Sequence, residues 1–173
     1  RFFALEGKIE RSAEGWGMLS VAHQRGMDEV VSSFRSLAEQ CYAPAQFNLG
    51  TLLNNGWGLK QDFKEAMKWI RKAADQGHAG AIYNVGRMYY NGHGVNQDYK
   101  EAMKWYRKAA DQGFALAQNS VGRLYEEFGL GVEQNYKEAM KWYRKAADQG
   151  HAPAQNNVGS MFENGHGVDQ NYK

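Results

Sequence analysis

The chain holds 173 residues, 43% hydrophobic and 23% charged, enough apolar content for one packed domain and too much for a disordered tail. Its 21 basic and 19 acidic residues leave a net charge of +2, far from the excess of a dedicated nucleic-acid binder. A mean hydropathy of -0.71 and the lack of a long apolar run exclude a membrane-spanning helix, and the single Cys41 allows neither an internal disulfide nor a cysteine-built zinc set.

Residues 1–42 read as an N-terminal helical segment with a diverged repeat or cap. A shift of 36 residues places Val30, Phe34, Leu37 and Ala38 on Ala66, Ile70, Ala73 and Ala74. The same alignment puts Cys41 where later units carry glycine, and it reads as a half-buried structural thiol. From there the sequence repeats itself in units 43–78, 79–114 and 115–151, followed by a truncated unit at 152–173. The stretch EAMKWYRKAADQG is identical at 101–113 and 138–150, and its copy at 65–77 differs only at Ile70.

Each unit reads as two helices joined by a glycine loop. In the second unit Ala81, Val85, Met88 and Tyr89 form an apolar stripe at helical spacing, which stops at Asn91-Gly92-His93-Gly94. The second helix opens with Asp98 and, three residues on, Glu101, the capping-box pattern that Asp62 with Glu65 and Asn135 with Glu138 repeat. Ala102, Met103, Tyr106, Ala109 and Ala110 then form a wide apolar face. Trp69, Trp105 and Trp142 recur beside it and are assigned to packing. The truncated unit leaves Val158, Met161 and Phe162 without a packing helix, which points to further repeats or to self-association through this end. A hairpin of this kind cannot bury both faces alone, so the fold class is an all-α solenoid of stacked hairpins.

The run Gly86-x-x-Tyr89-x-x-Gly92-x-Gly94-Val95-x-x-Asp98-Tyr99-x-x-Ala102-x-x-Trp105-Tyr106-x-Lys108-Ala109-Ala110-x-Gln112-Gly113 resembles the Sel1-like repeat, a relative of the tetratricopeptide repeat. The resemblance covers about three quarters of the chain, with local departures at Leu53, at Leu59 and in the extra residue within 126–131. It implies a right-handed α/α superhelix with first helices on the concave surface, a bacterial source, and a non-enzymatic adaptor or scaffold that binds proteins. Some members neutralise secreted toxins as immunity proteins. A cysteine-rich subgroup is linked to β-lactam binding, but this chain lacks those cysteines, so a related hydrolase activity is disfavoured.

Variation between units points to where function sits. Second helices are near copies, compatible with recent duplication or a consensus-built sequence, whereas first helices differ along one face. That face carries Phe47, Thr51 and Asn54; Tyr83, Arg87 and Tyr90; Asn119, Arg123 and Glu126; and Asn156, Ser160 and Glu163. Tyrosine and arginine are typical interface anchors, so the expectation is a groove for a peptide or partner protein, with Tyr83 and Tyr90 gripping and Arg87 and Arg123 reaching carboxylates. Asn48, Asn84 and Asn157, with Ser120 as the exception, border the core and are assigned a structural role. Gly50, Gly86, Gly122 and Gly159 recur inside first helices, where glycine costs about 1 kcal/mol against alanine, and this implies close helix contact. Lys64, Lys68, Arg71 and Lys72 against Glu65 and Asp75 give each second helix a net +2 that reads as a solvated face. His93 and His166 in Gly-His-Gly loops, with His78 and His151, lack a third ligand, so no metal or cofactor is expected. No catalytic set appears, and the sequence leaves periplasmic, secreted and cytoplasmic locations open.

Overall fold

The computed structural model describes residues 21–127 and 133–167. The expectations for residues 1–20, for the glycine loop of the third unit at 128–132, and for residues 168–173 lie outside the described residues. Among the described residues, eight α-helices and no strand form: α1 (Val21–Glu39), α2 (Ala43–Asn55), α3 (Phe63–Asp75), α4 (Ala79–Asn91), α5 (Tyr99–Asp111), α6 (Ala115–Glu126), α7 (Tyr136–Ala147) and α8 (Ala152–Asn164). The pairs α2 and α3, α4 and α5, and α6 and α7 are hairpins. Each stacks on the next through α3 with α4, α5 with α6, and α7 with α8, while α1 covers α2. The architecture is an all-α solenoid in which each unit completes its neighbour's core.

Local chemistry sets the helix boundaries. Asp62 and Asn135 accept hydrogen bonds from the backbone N–H of Glu65 and Glu138 at 2.9 and 3.0 Å, and Asp98 accepts from both Lys100 and Glu101 at 2.9 Å. Glu65 does not reach back as a full capping box would; its carboxylate accepts the Trp69 indole N–H at 2.9 Å. First helices begin without an acidic cap. Instead the Nδ1 atoms of His78 and His151 accept from Ala81 and Ala154 at 3.1 and 3.3 Å. Gly56, Gly92 and Gly165 end α2, α4 and α8 in the left-handed region at φ 71°, 72° and 66°.

Within each hairpin a glycine makes room for a large side chain. A β-carbon on Gly86 would lie 2.6 Å from the Tyr106 ring, and one on Gly122 would lie 2.6 Å from the Tyr143 ring. On Gly50 it would collide with Ile70. Gly159 in α8 meets nothing within 4 Å, because no described helix completes its hairpin. Between units, the Gly94 backbone lies so close to the Phe63 carbonyl that no side chain fits, and the flanking His93 ring stacks on Phe63 at 4.2 Å. Gly167 and His166 repeat the arrangement on Tyr136.

Buried glutamines tie helix ends together. Gln46 donates to the Ala38 carbonyl at 3.0 Å and accepts from Gln76 at 2.7 Å, and Gln118 does the same with Ala110 and Gln149. The second unit carries Ile82 there, fully buried. On the second helices, Trp69, Trp105 and Trp142 lie under Lys72, Lys108 and Lys145 of their own helices. Arg71 and Arg107 of the preceding unit cover Trp105 and Trp142 at 4.6 and 5.9 Å. These cations are partly engaged with indoles, so the second-helix face is more than a solvated charge array. Trp69 and Trp142 are buried and Trp105 is half-buried.

Three sequence expectations need correction. Cys41 is exposed, not half-buried, and adopts the left-handed φ of 63° that its glycine counterparts use. Leu37 does not follow the buried Ala73, since it is 42% exposed while Ala38 is buried; the longer α1 keeps only part of the repeat's inward face. Met161 is not left without a partner: it is fully buried with Ala139, Met140 and Tyr143 of α7. Phe162 is exposed, with the Arg144 guanidinium 5.5 Å above its ring.

Candidate functional site

First helices present a face that second helices do not cover, and two adjoining concavities open along it. One is lined by Thr51, Asn54, Asn84, Arg87 and His93 among others. The second is lined by Tyr83, Arg87, Tyr90, Asn91, Tyr106, Ser120 and Arg123. Arg87 lies on the rim of both. Four of the expected groove residues, Tyr83, Arg87, Tyr90 and Arg123, therefore meet around one opening, although they come from two successive units.

The floor is aromatic. Tyr83 packs 5.5 Å from Tyr106 and 5.5 Å from Phe114, so its half-buried ring is a fixed wall instead of a free anchor. Tyr90 rests edge-on against Tyr99 at 5.2 Å. Its hydroxyl accepts from Arg123 Nη2 at 3.4 Å and donates to Glu127 Oε2 at 3.5 Å. Burial first, and then the Glu127 carboxylate, push the Tyr90 phenol above its ordinary range. Arg87 is exposed, and no carboxylate pairs with it among the described residues.

The other expected site residues fall into two groups. Phe47 stacks on His78 at 4.7 Å, and the Thr51 hydroxyl donates to the Phe47 carbonyl at 2.9 Å. The Asn54 amide donates to Asn55 at 3.0 Å. Asn119 accepts from Asn157 at 3.0 Å across the unit boundary. All four are half-buried, and Asn54 Oδ1 is buried with no hydrogen-bond partner among the described residues. Asn156, Ser160 and Glu163 are exposed along α8.

Two particulars differ from the sequence reading. Glu126 turns to its own hairpin partner, where it accepts the Tyr143 hydroxyl at 2.6 Å; a phenol buried between α6 and α7 needs that acceptor. Arg123 meets a carboxylate of its own chain, with Nη2 and Nε at 3.0 and 3.3 Å from Glu127 Oε1. Sequence comparison missed Glu127 because it belongs to the stretch where the third unit is one residue longer, which obscures its register. Its signal was the equivalent position, asparagine at Asn55, Asn91 and Asn164. Ser120, noted only as an exception among asparagines, lines the second concavity.

The Sel1 repeat model matches residues 43–78, 79–114, 115–151 and 152–173. The chain is similar to the crystal structure of c5321, a protective antigen present in uropathogenic Escherichia coli strains displaying an SLR fold. The two share 40% identity at a TM-score of 0.79 over 82% of this chain and 30% of that one. A Sel1 repeat protein from Oxalobacter formigenes is 35% identical at a TM-score of 0.76, over 82% of this chain and 56% of that one. This chain therefore spans less than two thirds of either relative. Helicobacter pylori cysteine rich protein B shares the fold at 21% identity and a TM-score of 0.59, over 79% of this chain and 96% of that one. No curated protein matches the chain. No described helix is long and apolar enough to cross a membrane. With three matched repeats lying in register on the hairpins described above and a fourth beginning with α8, the chain belongs to the Sel1 repeat family.

Proposed function

We propose that the chain is a non-enzymatic scaffold that holds a peptide or partner protein against its first-helix face. The observation that carries this reading is the convergence of Tyr83, Arg87, Tyr90 and Arg123 from two units on one concavity. Aromatic walls give apolar contact at low entropic cost, and guanidinium rims give direction, which together make a hot-spot surface. The residues that vary between units lie here, while the near-invariant second helices are occupied by packing and by their own cation–aromatic contacts.

The test is capture from a lysate of the source organism by the wild-type chain and by a Tyr83→Ala, Arg87→Ala, Arg123→Ala variant. The variant is expected to keep its helical circular dichroism and to lose the captured species. Undiminished capture by a folded variant overturns the assignment of this face.

A further inference from the structure

We propose that Glu127 is an internal stand-in for the carboxylate of an acidic peptide segment, and that such a ligand binds across Arg87 and Arg123 by displacing it. This rests on the first-helix face being the binding surface and adds the chemistry of its occupant.

Arginine appears at this helical position only in the two middle units, as Arg87 and Arg123; the outer units carry Thr51 and Ser160. Both guanidiniums border the same concavity. Arg87 faces it exposed and with no carboxylate among the described residues, whereas Arg123 is closed by Glu127 through both Nη2 and Nε. The units differ in one further respect. Asn55, Asn91 and Asn164 are the last residues of their first helices, but Glu127 lies just beyond the end of α6, in extended backbone at φ -79° and ψ 127°. Leaving the helix one residue early lets its carboxylate reach Arg123 and the Tyr90 hydroxyl, 37 residues away in the preceding unit.

An arginine that offers two N–H groups to one carboxylate will offer them to another of the same geometry. The Arg123 and Glu127 side chains are 49% and 39% exposed, so their pair is worth little against water and can be exchanged. Once Glu127 swings away, Arg87 and Arg123 present two cations beside the tyrosine floor. A ligand with two carboxylates or a run of them satisfies both, whereas a neutral segment leaves Arg123 with its own partner.

Fluorescence anisotropy with a fluorescein-labelled (Glu-Ala)4-Glu peptide at low ionic strength tests this, with the glutamine counterpart as control. The glutamate peptide is expected to bind and the glutamine peptide to bind far more weakly. Glu127→Gln and Glu127→Ala are each expected to tighten the glutamate peptide by about two- to fivefold, the worth of an exposed arginine–carboxylate pair. Arg87→Ala and Arg123→Ala are expected to weaken it. If neither Glu127 variant tightens binding while Arg87→Ala still weakens it, displacement is wrong and the groove reading stands. Binding indifferent to both arginine substitutions, or absent from wild type and Glu127→Gln alike, overturns the acidic occupant. In that case capture of a native partner, lost in the triple variant, still supports the scaffold reading by itself.

Discussion

At Gly122 the missing β-carbon is the space that the Tyr143 ring fills, whereas at Gly159 the same position of the repeat opens onto nothing within 4 Å. One substitution should therefore have opposite signs at the two sites. Gly122→Ala is expected to destabilise by about 1–3 kcal/mol through overpacking, and Gly159→Ala to stabilise by about 1 kcal/mol through helix propensity, both read from urea midpoints. Cys41 gives a third residue-scale test. An L-residue in left-handed backbone costs roughly 1–2 kcal/mol, of which glycine's larger unfolded entropy returns part. Cys41→Gly should raise stability by about 0.5–1 kcal/mol in the same assay. The buried phenols of Tyr106 and Tyr143 are held protonated, both chiefly by burial and Tyr143 also by its bond to Glu126. Their folded pKa values are raised above the ordinary phenol value of about 10, so this stabilisation is complete below that pH and is lost as pH rises past it. This contribution should leave the urea midpoint unchanged up to about pH 10 and lower it above that, and the fall should be smaller in a Tyr106→Phe, Tyr143→Phe double variant.

At the scale of the helix, the sequence foretold most of what forms. Repetition of an N-cap, an apolar stripe and a terminal glycine specified each hairpin, because those signals act within a few residues and need no tertiary context. Asp98 shows how strong they are. It serves two backbone N–H groups, so Asp98→Ala should cost about 1 kcal/mol, while Asp98→Asn should be nearly neutral, as Asn135 fills the same role one unit later; thermal melts distinguish the two. What stayed hidden depends on contacts between helices. The histidine caps of α4 and α8 could not be read from residue type, since histidine is an uncommon cap. The bridging Gln46 and Gln118 looked like polar interruptions of an apolar face until their partners at the preceding and following helix ends were in place.

Among the described residues, each helix packs chiefly on the helices before and after it, so at the scale of the whole molecule stability is a sum of hairpins and junctions. Helices flanked on both sides should open least: amide exchange is expected to be slowest in α4 to α6 and faster in α1 and α8, and uniform protection across the eight helices would contradict this. The face proposed for binding was legible as a set of varying positions, but its details were not. Helical phase placed Tyr83, Arg87 and Arg123 together, whereas the engagement of Glu126 by Tyr143 and of Arg123 by Glu127 depends on where α6 ends, which the longer third unit obscured. The junction at Gly94 bears on that face in another way. Because loop backbone rests directly on the Phe63 carbonyl, with no side chain between them to compress or reorient, the interval between those units is fixed by backbone-to-backbone van der Waals contact. Groups carried by one first helix are thereby held at a set step from those on the next, so that the face proposed for binding would act as a ruler, selecting partners by the spacing of their anchoring groups as much as by their identity.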